Sequence, residues 1–169
     1  LYVNKRKSFV FIGRNERRKG YKELINAIKK INNYSYDFHF IGPISKNDKL
    51  ISDIHNIFYH GIIKDERKKM KIIDKSDVLI CPSFSEGMPN VILEAMSRGL
   101  FIISTNVGAI SNLVDKKNGI IISKLNIDAI YLSILKFQNL KNEKILKMKK
   151  ESIKRISENF IWSKIIEKL

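Results

Sequence analysis

The residues best suited to chemistry lie in one segment, Cys81–Glu94, which reads C-P-S-F-S-E-G-M-P-N-V-I-L-E. An apolar run ends at its start and a helical pattern begins at its end, with Pro89 at a position typical of a first helical residue. Free N–H groups and the helix dipole favour an anion at such a helix start. The backbone amides predicted there are those of Gly87, Met88, Asn90 and Val91.

Two glutamates flank this predicted helix start. The Glu86 carboxylate can only accept hydrogen bonds, which suits a ligand that bears hydroxyl groups. Glu94 lies between Leu93 and Ala95, where an ionised carboxylate is costly unless it is hydrogen-bonded. A vicinal diol such as a ribose could donate two bonds to Glu94. An equally good alternative is an i, i+4 ion pair with Arg98.

A second candidate loop, Gly13–Gly20, reads G-R-N-E-R-R-K-G and follows the first apolar run. Its Arg14 and Lys19 would suit a diphosphate if the loop lies at the carboxyl edge of a parallel sheet. The alternative is that this is an ordinary polar loop in a lysine-rich chain.

The elements that would position these loops alternate between short β-branched runs and helical patterns. Most of the runs are continuously apolar, as in parallel strands that are covered on both faces. The predicted strands are Ser8–Gly13, Tyr36–Gly42, Ile57–His60, Asp77–Cys81, Leu100–Thr105 and Gly119–Ser123. The predicted helices are Lys22–Ile31, Asp65–Lys75, Pro89–Arg98, Asp128–Phe137, Glu143–Ser157 and Ile161–Leu169. The alternation predicts an α/β fold with a doubly wound, Rossmann-like parallel sheet of about six strands and extra C-terminal helices.

The lysine-rich segment near the C-terminus has an apolar stripe. We expect this stripe to be buried and the lysines to form a solvated face; the alternative is a helix that docks on a membrane or a partner. The predicted stripe consists of Ile145, Leu146, Met148, Ile153 and Ile156.

Composition excludes several functional classes. The chain has 169 residues and a net charge of +15, but 25 of its 32 cations are Lys and only 7 are Arg. The positive charge is therefore only weak evidence for nucleic-acid binding, because base contacts rely on Arg, and we expect no nucleic-acid partner. The single cysteine, Cys81, excludes an internal disulfide framework and a cysteine-based metal cluster, and it favours a reducing compartment.

The absence of several sequence motifs excludes further functional classes of protein. There is no G-x-G-x-x-G, no phosphate-binding G-x-x-x-x-G-K-[ST] and no G-x-S-x-G nucleophile motif. The histidines His39, His55 and His60 lack a metal-ligand spacing, and His39 is expected to pack within its strand. No apolar run approaches the roughly 18–20 residues of a membrane span, and the start of the chain shows no signal peptide.

Several motifs together resemble the C-terminal, donor-binding domain of retaining GT-B glycosyltransferases, family 4 (glycosyl transferases group 1). They are Glu86-x7-Glu94 within E-G-M-P-N-V-I-L-E-A-M, G-R-x4-K-G at Gly13–Gly20, S-D-V-L-I-C-P-S, G-L-F-I-I-S-T-N-V-G-A-I and N-G-I-I-I. The sequence departs from the family pattern at Pro43, Phe101, Ala109 and Asn112.

The resemblance implies a role for each candidate residue. Arg14 and Lys19 would neutralise the diphosphate of a nucleotide-sugar donor, and Gly13, which precedes Arg14, would also contact the donor. Glu86 would hold the sugar hydroxyls. Arg14, Lys19 and Glu86 are the predicted catalytic residues. The Gly87 and Met88 amides would also contact the sugar. The Asn90 and Val91 amides, which follow Pro89, would bind the distal phosphate, and Glu94 the ribose. Ile62 or Ile63 would contact the base through the backbone.

The resemblance also sets expectations for the whole protein. Residues 1–169 would form one nucleotide-sugar-binding domain, with 1–7 a linker remnant, 124–169 the C-terminal helices and the N-terminal acceptor domain absent. The isolated domain is then expected to be inactive. The complete enzyme would transfer a hexose from a UDP- or GDP-sugar to a polysaccharide or lipid-linked acceptor without a metal or cofactor. We expect it in the cytoplasm or peripherally at the inner membrane face. The alternatives are a non-catalytic nucleotide-binding module and a basic nucleic-acid- or membrane-binding module.

Overall fold

The computed structural model describes residues 1–31, 36–44 and 56–160 of the chain. Within them, six strands form one sheet in the order β3-β2-β1-β4-β5-β6, and every pairing is parallel. The strands are β1 Lys7–Ile12, β2 Tyr36–Ile41, β3 Ile57–Gly61, β4 Val78–Cys81, β5 Phe101–Thr105 and β6 Gly119–Ile122. All six predicted strands are confirmed, with ends that shift by one residue.

Six helices flank the sheet within the described residues. They are α1 Tyr21–Lys29, α2 Glu66–Asp74, α3 Asn90–Ser97, α4 Ile110–Leu113, α5 Ile127–Gln138 and α6 Asn142–Asn159. The apolar periodicity did not predict α4 or the 3-10 turn Arg17–Lys19, because both are too short to show a helical period. The predicted helix Ile161–Leu169 and His55 lie outside the described residues. No helix in the described part of the chain is long and apolar enough to cross a bilayer.

Alternate residues of each strand face two separate cores. Phe9 and Phe11 pack with α1 and α5 on one face of the sheet, whereas Val10 packs with α2, α3 and α4 on the other. This division is the doubly wound arrangement that the alternation predicts. The long helix α6 contributes to both cores, through Met148 near its start and Ile156 near its end.

The predicted apolar stripe of α6 is wrong at one position. Ile153 is 37% exposed, whereas Lys149 and Ser152 are buried. The Lys149 ammonium lies 3.2 Å from Asp77 Oδ1 and donates to the Tyr2 carbonyl at 2.8 Å. An ion pair therefore occupies the inner face of the helix where the periodicity indicated only apolar residues.

The first residues of the chain pack against the domain. Asn4 donates to Asp77 Oδ2 at 2.9 Å and to the Lys75 carbonyl at 2.9 Å, and the Tyr2 hydroxyl donates to the Asp74 carbonyl at 3.1 Å. Lys7 is the first residue of β1. The prediction that residues 1–7 are a linker remnant is therefore wrong for Lys7, and the residues before it are held by hydrogen bonds.

Two histidines meet on the outer strands β2 and β3. His39 Nδ1 lies 3.0 Å from His60 Nε2, and the His39 ring stacks on both His60 and Phe58. Burial, and then the neighbouring His60, lower the pKa of His39, and burial lowers the pKa of His60. His39 is half-buried and packed within its strand, as predicted, but its partner is polar.

Candidate functional site

The two candidate loops meet at the carboxyl edge of adjacent strands, β1 and β4. The Phe84 N–H donates to the Arg18 carbonyl at 2.8 Å. Gly20 has φ +65°, and a Cβ there would lie 1.8 Å from the Pro82 carbonyl oxygen, so this close approach requires glycine. The chain runs outward from β1 to β2 and β3 and then returns to β4 on the other side of β1. The two loops therefore lie at the point where the strand order reverses, which is where ligands bind in open α/β sheets.

Glu86 forms the centre of this site, and its side chain is 7% exposed. Its Oε1 accepts hydrogen bonds from Lys19 Nζ at 2.6 Å and from Ser83 Oγ at 2.7 Å. Its Oε2 lies 3.6 Å from an Arg18 guanidinium nitrogen. A buried carboxylate requires such compensation for its lost hydration. Lys19, which is predicted to neutralise a diphosphate, is therefore also the ionic partner of Glu86.

Ser83 and Arg18 are the site residues that the sequence analysis missed. Ser83 is itself fixed, because its carbonyl accepts from the buried Thr105 Oγ1 at 2.5 Å. A signal for Ser83 was present: a serine three residues before a carboxylate can hydrogen-bond to it locally. Arg18 carried no such signal, since its approach to Glu86 depends on the 3-10 turn Arg17–Lys19.

Cys81 lies at the buried base of the same loop. Its Sγ is 3.7 Å from Ser83 Oγ. Burial raises the pKa of the Cys81 thiol to about 11, so the thiol is protonated at neutral pH and is a poor nucleophile. Cys81 is therefore a buried core residue at the base of this loop.

The loop after β5 fixes the backbone that follows Glu86. The Ala109 N–H donates to the Gly87 carbonyl at 3.1 Å. Gly108 has φ +56°, and a Cβ there would lie 1.9 Å from the Glu86 carbonyl oxygen. Residues from three loops, after β1, β4 and β5, thus hold the Glu86–Gly87 turn in place.

The start of α3 differs by one residue from the prediction. The helix begins at Asn90, and Pro89 is its N-cap rather than its first residue. Pro89 has no side-chain hydrogen bond to cap the helix, and within the described residues no group accepts from the Asn90 or Val91 N–H. No atom lies within 4 Å of where a Gly87 Cβ would be, and Met88 is 48% exposed. These amides are therefore open to a ligand.

Arg14 is the most accessible cation of the site. Its side chain is 72% exposed and lies 3.5 Å from Glu16 in a solvent-exposed ion pair. Such pairs contribute little stability, so Arg14 can exchange Glu16 for another anion at small cost. The β1 strand delivers Arg14 to this edge through Gly13, whose N–H bonds to the Ile41 carbonyl at 2.9 Å.

Glu94 pairs with Lys69 and not with Arg98. Its Oε2 is buried, lies 3.0 Å from Lys69 Nζ, and has no other polar partner within the described residues. Burial opposes the charge on Lys69, but the hydrogen bonds that its ammonium donates to Glu66 and Glu94 leave its pKa raised. Arg98 instead forms a bidentate pair with Asp74, at 2.6 Å for each bond. The predicted alternative of a Glu94–Arg98 salt bridge is wrong.

Ile62 and Ile63 follow β3, which is separated from β4 by two strands, β2 and β1. Ile62 is 67% exposed, and Ile63 is half-buried against the core that includes α2 and α3. The structure places both residues at the same edge of the sheet as Glu86, and within the described residues no hydrogen bond joins them to the Glu86 loop. Their assignment to a base remains a prediction.

Comparison with known proteins gives a family and a fold. The family model described as "Glycosyl transferases group 1" matches residues 6–139. The uncharacterized glycosyltransferase MJ1178 of Methanocaldococcus jannaschii is 29% identical over 170 residues, covering 93% of this chain and 45% of its own length. The capsular polysaccharide biosynthesis glycosyltransferase CapM of Staphylococcus aureus is 28% identical over 136 residues, covering 76% of this chain and 36% of its own. The chain thus spans less than half the length of these curated relatives.

Two solved structures share the fold. The C-terminal domain of the glycosyl transferase group 1 protein LpcC from Francisella tularensis superposes with a TM-score of 0.77 and 20% identity, covering 95% of this chain and 89% of its own. The Anabaena protein Alr3699/HepE, solved in complex with UDP-glucose, superposes with a TM-score of 0.81 and 16% identity, covering 97% of this chain and 47% of its own. The described residues therefore share their fold with these two structures.

Proposed function

The chain belongs to the glycosyl transferases group 1 family, and from this premise we propose that it binds the nucleotide-diphosphate sugar donor of a hexosyltransferase. The observation that carries the proposal is the position of Glu86. Its carboxylate is held by Lys19 and Ser83 beside the open amides of α3, at the switch point between β1 and β4. A fixed acceptor next to a cluster of donors and cations matches a ligand that has hydroxyls at one end and a diphosphate beyond them.

The diphosphate would lie against the cations and the helix start. Arg14 is free to leave Glu16, and Lys19 has two further N–H donors beyond the one that it gives to Glu86. The Asn90 and Val91 amides add donors that need no reorganisation. As the glycosyl–phosphate bond breaks, negative charge grows on the departing phosphate, and these groups would stabilise it as an oxyanion hole does. We therefore propose that the reaction needs no divalent metal.

The transferred sugar would lie against Glu86. In the part of the chain that the structure describes, Glu86 Oε2 has a single ionic neighbour, Arg18 at 3.6 Å, and so retains capacity to accept from a hydroxyl. The Gly87 and Met88 amides would donate to the sugar oxygens. Positive charge developing at the anomeric carbon would be stabilised by the nearby carboxylate. Retention of configuration at that carbon is the outcome that this family assignment favours.

The nucleoside would lie on the far side of the phosphates. A ribose diol would compete with Lys69 for Glu94, whose buried Oε2 has no other polar partner within the described residues. The loop through Ile62 and Ile63 would contact the base. UDP-glucose in the HepE structure supports a uridine nucleotide as the first ligand to test.

The acceptor would bind outside this chain. Because the chain spans less than half of its curated relatives, the acceptor contacts would come from the remainder of a longer enzyme. The name of CapM supports a polysaccharide as the acceptor class. Alone, the 169-residue chain would bind donor without transferring sugar.

Calorimetric titration with UDP, GDP, UDP-glucose and GDP-mannose tests the proposal. We expect saturable 1:1 binding of at least one nucleotide, unchanged by a metal chelator and abolished by Glu86→Gln with Arg14→Gln. Arg98→Gln is the matched control, since it removes a cation outside the site. Absence of saturable binding by all four ligands, or equal loss in the control, would overturn the proposal.

A further inference from the structure

A second basic feature lies at the opposite edge of the sheet, where β5 and β6 begin. A cavity of about 350 Å³ adjoins another of about 430 Å³, and the two share Lys116, Lys144 and Met148. Phe101 and Gly119, the first residues of β5 and β6, line the first cavity. Glu86 follows the carboxyl end of β4, so the length of the strands separates the two sites. We call the first of these two the lysine cavity.

Three lysines from separate elements line the lysine cavity. Lys116 belongs to the turn before β6, Lys136 to α5 and Lys144 to the first turn of α6. Because the three lysines come from three different elements, a single basic helix face does not explain why they lie together. Like charges that line one cavity repel each other, and an anionic ligand would offset this repulsion.

The lysines of this cavity lack the compensation that other lysines of the chain have. Lys19, Lys30, Lys69 and Lys149 each form an ion pair with a carboxylate. No ion pair involves Lys116, Lys136 or Lys144 among the described residues, and no acidic side chain lines their cavity. The adjoining cavity has one, Glu151, which is paired with Arg155 at 3.5 Å.

The position of Lys144 is locally unfavourable. A helix N-terminus carries partial positive charge, which disfavours a cation in the first turn and favours an anion. Lys144 is the third residue of α6, an 18-residue helix. The helix start and Lys144 both contribute positive potential in this turn, which Glu143 of the same turn partly offsets, although Glu143 does not line the cavity.

The floor of the cavity is apolar. Ile120 and Leu140 are half-buried, and Met148 is 6% exposed. A volume of about 350 Å³ is larger than a lone phosphate group needs and falls within the usual range of small-molecule pockets, roughly 300–1,000 Å³. The ligand that fits has an anionic group for the rim and carbon atoms for the floor.

We propose that the lysine cavity binds a phosphorylated polyol, either as a soluble ester or as a lipid headgroup. The phosphate lies between Lys116, Lys136 and Lys144, and the polyol carbons contact Ile120 and Leu140. Phosphate takes charge-assisted hydrogen bonds from several ammonium groups at once. This site does not depend on the donor proposal, since it shares no residue with the Glu86 site.

The test follows backbone amide signals by NMR at about 0.15 M salt, where unspecific surface attraction is largely screened. Glycerol 3-phosphate is titrated into the 169-residue chain. Binding to phosphatidylglycerol vesicles is measured separately by co-sedimentation, with phosphatidylcholine vesicles as the neutral reference. We expect saturable shifts at Gly119, Ile120 and Ile121, or retention on the anionic vesicles alone. The first result assigns a soluble ester and the second a lipid headgroup.

Matched variants separate the cavity from general basicity. Lys116→Gln with Lys144→Gln should weaken binding at least about tenfold, whereas Lys68→Gln with Lys71→Gln, on α2, should change it less than about twofold. All four lysines are exposed, so both double variants should fold. Equal weakening by the two pairs would overturn the proposal. So would shifts confined to Gly87 and Asn90, or no binding in either arm. Loss of nucleotide binding at Glu86 would leave this result unaffected.

Discussion

Lys19 Nζ and Glu86 Oε1 are 2.6 Å apart, so the cation proposed for the diphosphate and the carboxylate proposed for the sugar form an ion pair before a donor arrives. Both side chains are mostly buried, at 17% and 7% exposure. The pair couples the β1 and β4 loops directly. A donor that contacts both groups would bridge the two loops and would keep the pair intact.

The first prediction concerns the energy of this pair. Lys19→Met leaves the buried Glu86 carboxylate without its closest cation, and Glu86→Gln leaves the Lys19 ammonium without its anion. Each single variant should therefore be destabilised. The double variant should be less destabilised than the sum of the two, with a coupling of about 1–3 kcal/mol. Urea unfolding of the four proteins measures it. Additive losses would mean that the two groups act independently.

The second prediction concerns Ser83, which positions Glu86 by a 2.7 Å hydrogen bond. Ser83→Ala should weaken UDP-sugar binding about three- to tenfold, the effect of one hydrogen bond, and should weaken UDP binding much less, because Glu86 is proposed to contact the sugar. Calorimetry with both ligands gives the ratio. Ser97→Ala is the control, since within the described residues the Ser97 hydroxyl donates only to the Glu94 carbonyl of its own helix. An equal effect on UDP and UDP-sugar would contradict a positioning role.

The third prediction concerns Glu94 and the ribose. Glu94→Gln should weaken the binding of UDP about tenfold and leave that of inorganic diphosphate unchanged, because only UDP has a ribose diol. Asp74→Asn is the matched control: it removes an exposed helix carboxylate that pairs with Arg98 and not with the site. If Glu94→Gln instead affects only stability, the Lys69 ion pair is the whole role of Glu94.

The fold and part of the site could be predicted from the sequence because their signals are local. Continuous apolar runs predicted six parallel strands, and the segment that contains Glu86 identified the loop after β4. The partners of these residues could not be predicted, because they come from distant parts of the chain. Lys19 reaches Glu86, and Lys69 reaches Glu94, only once the crossovers have brought separate loops together.

Periodicity also fails where a polar pair replaces an apolar contact. The helical period indicated Ile153 as an inner residue of α6. The buried side chain is instead that of Lys149, which pairs with Asp77 directly before β4. Nothing in the local pattern distinguishes this lysine from its solvated neighbours. Its environment is set by Asp77 and Tyr2, which lie far away in sequence.

The fourth prediction tests this buried pair. Asp77 is fully buried and accepts from Lys149, Asn4 and the Ser8 N–H. Asp77→Ala leaves the Lys149 ammonium without its partner and frees the first residues of the chain, so it should cost about 3–5 kcal/mol of unfolding free energy. Lys149→Met should cost less, because Asp77 keeps its amide donors. Urea unfolding compares the two variants, and a larger loss in Lys149→Met would contradict the order.

The last prediction is a pH dependence from His39 and His60. Burial lowers the pKa of both, and the two rings also repel when charged. In the unfolded chain each titrates near pH 6.5. The fold therefore prefers the neutral rings: their contribution is complete above about pH 6.5 and is lost as pH falls from there through the lowered pKa values.

Asp37, which pairs with Arg6 at 2.8 Å, opposes this effect by favouring charged His39 but does not reverse it. His60→Gln removes one titrating ring and can still donate to His39 Nδ1. Between pH 7.5 and pH 5.5 the variant should therefore lose less unfolding free energy than the parent chain. The difference should be at most about 1.4 kcal/mol for each unit by which folding lowers the pKa of His60. Urea unfolding at both pH values gives the two differences. Equal losses in the parent and the variant would show that His60 titrates alike in the folded and unfolded chain.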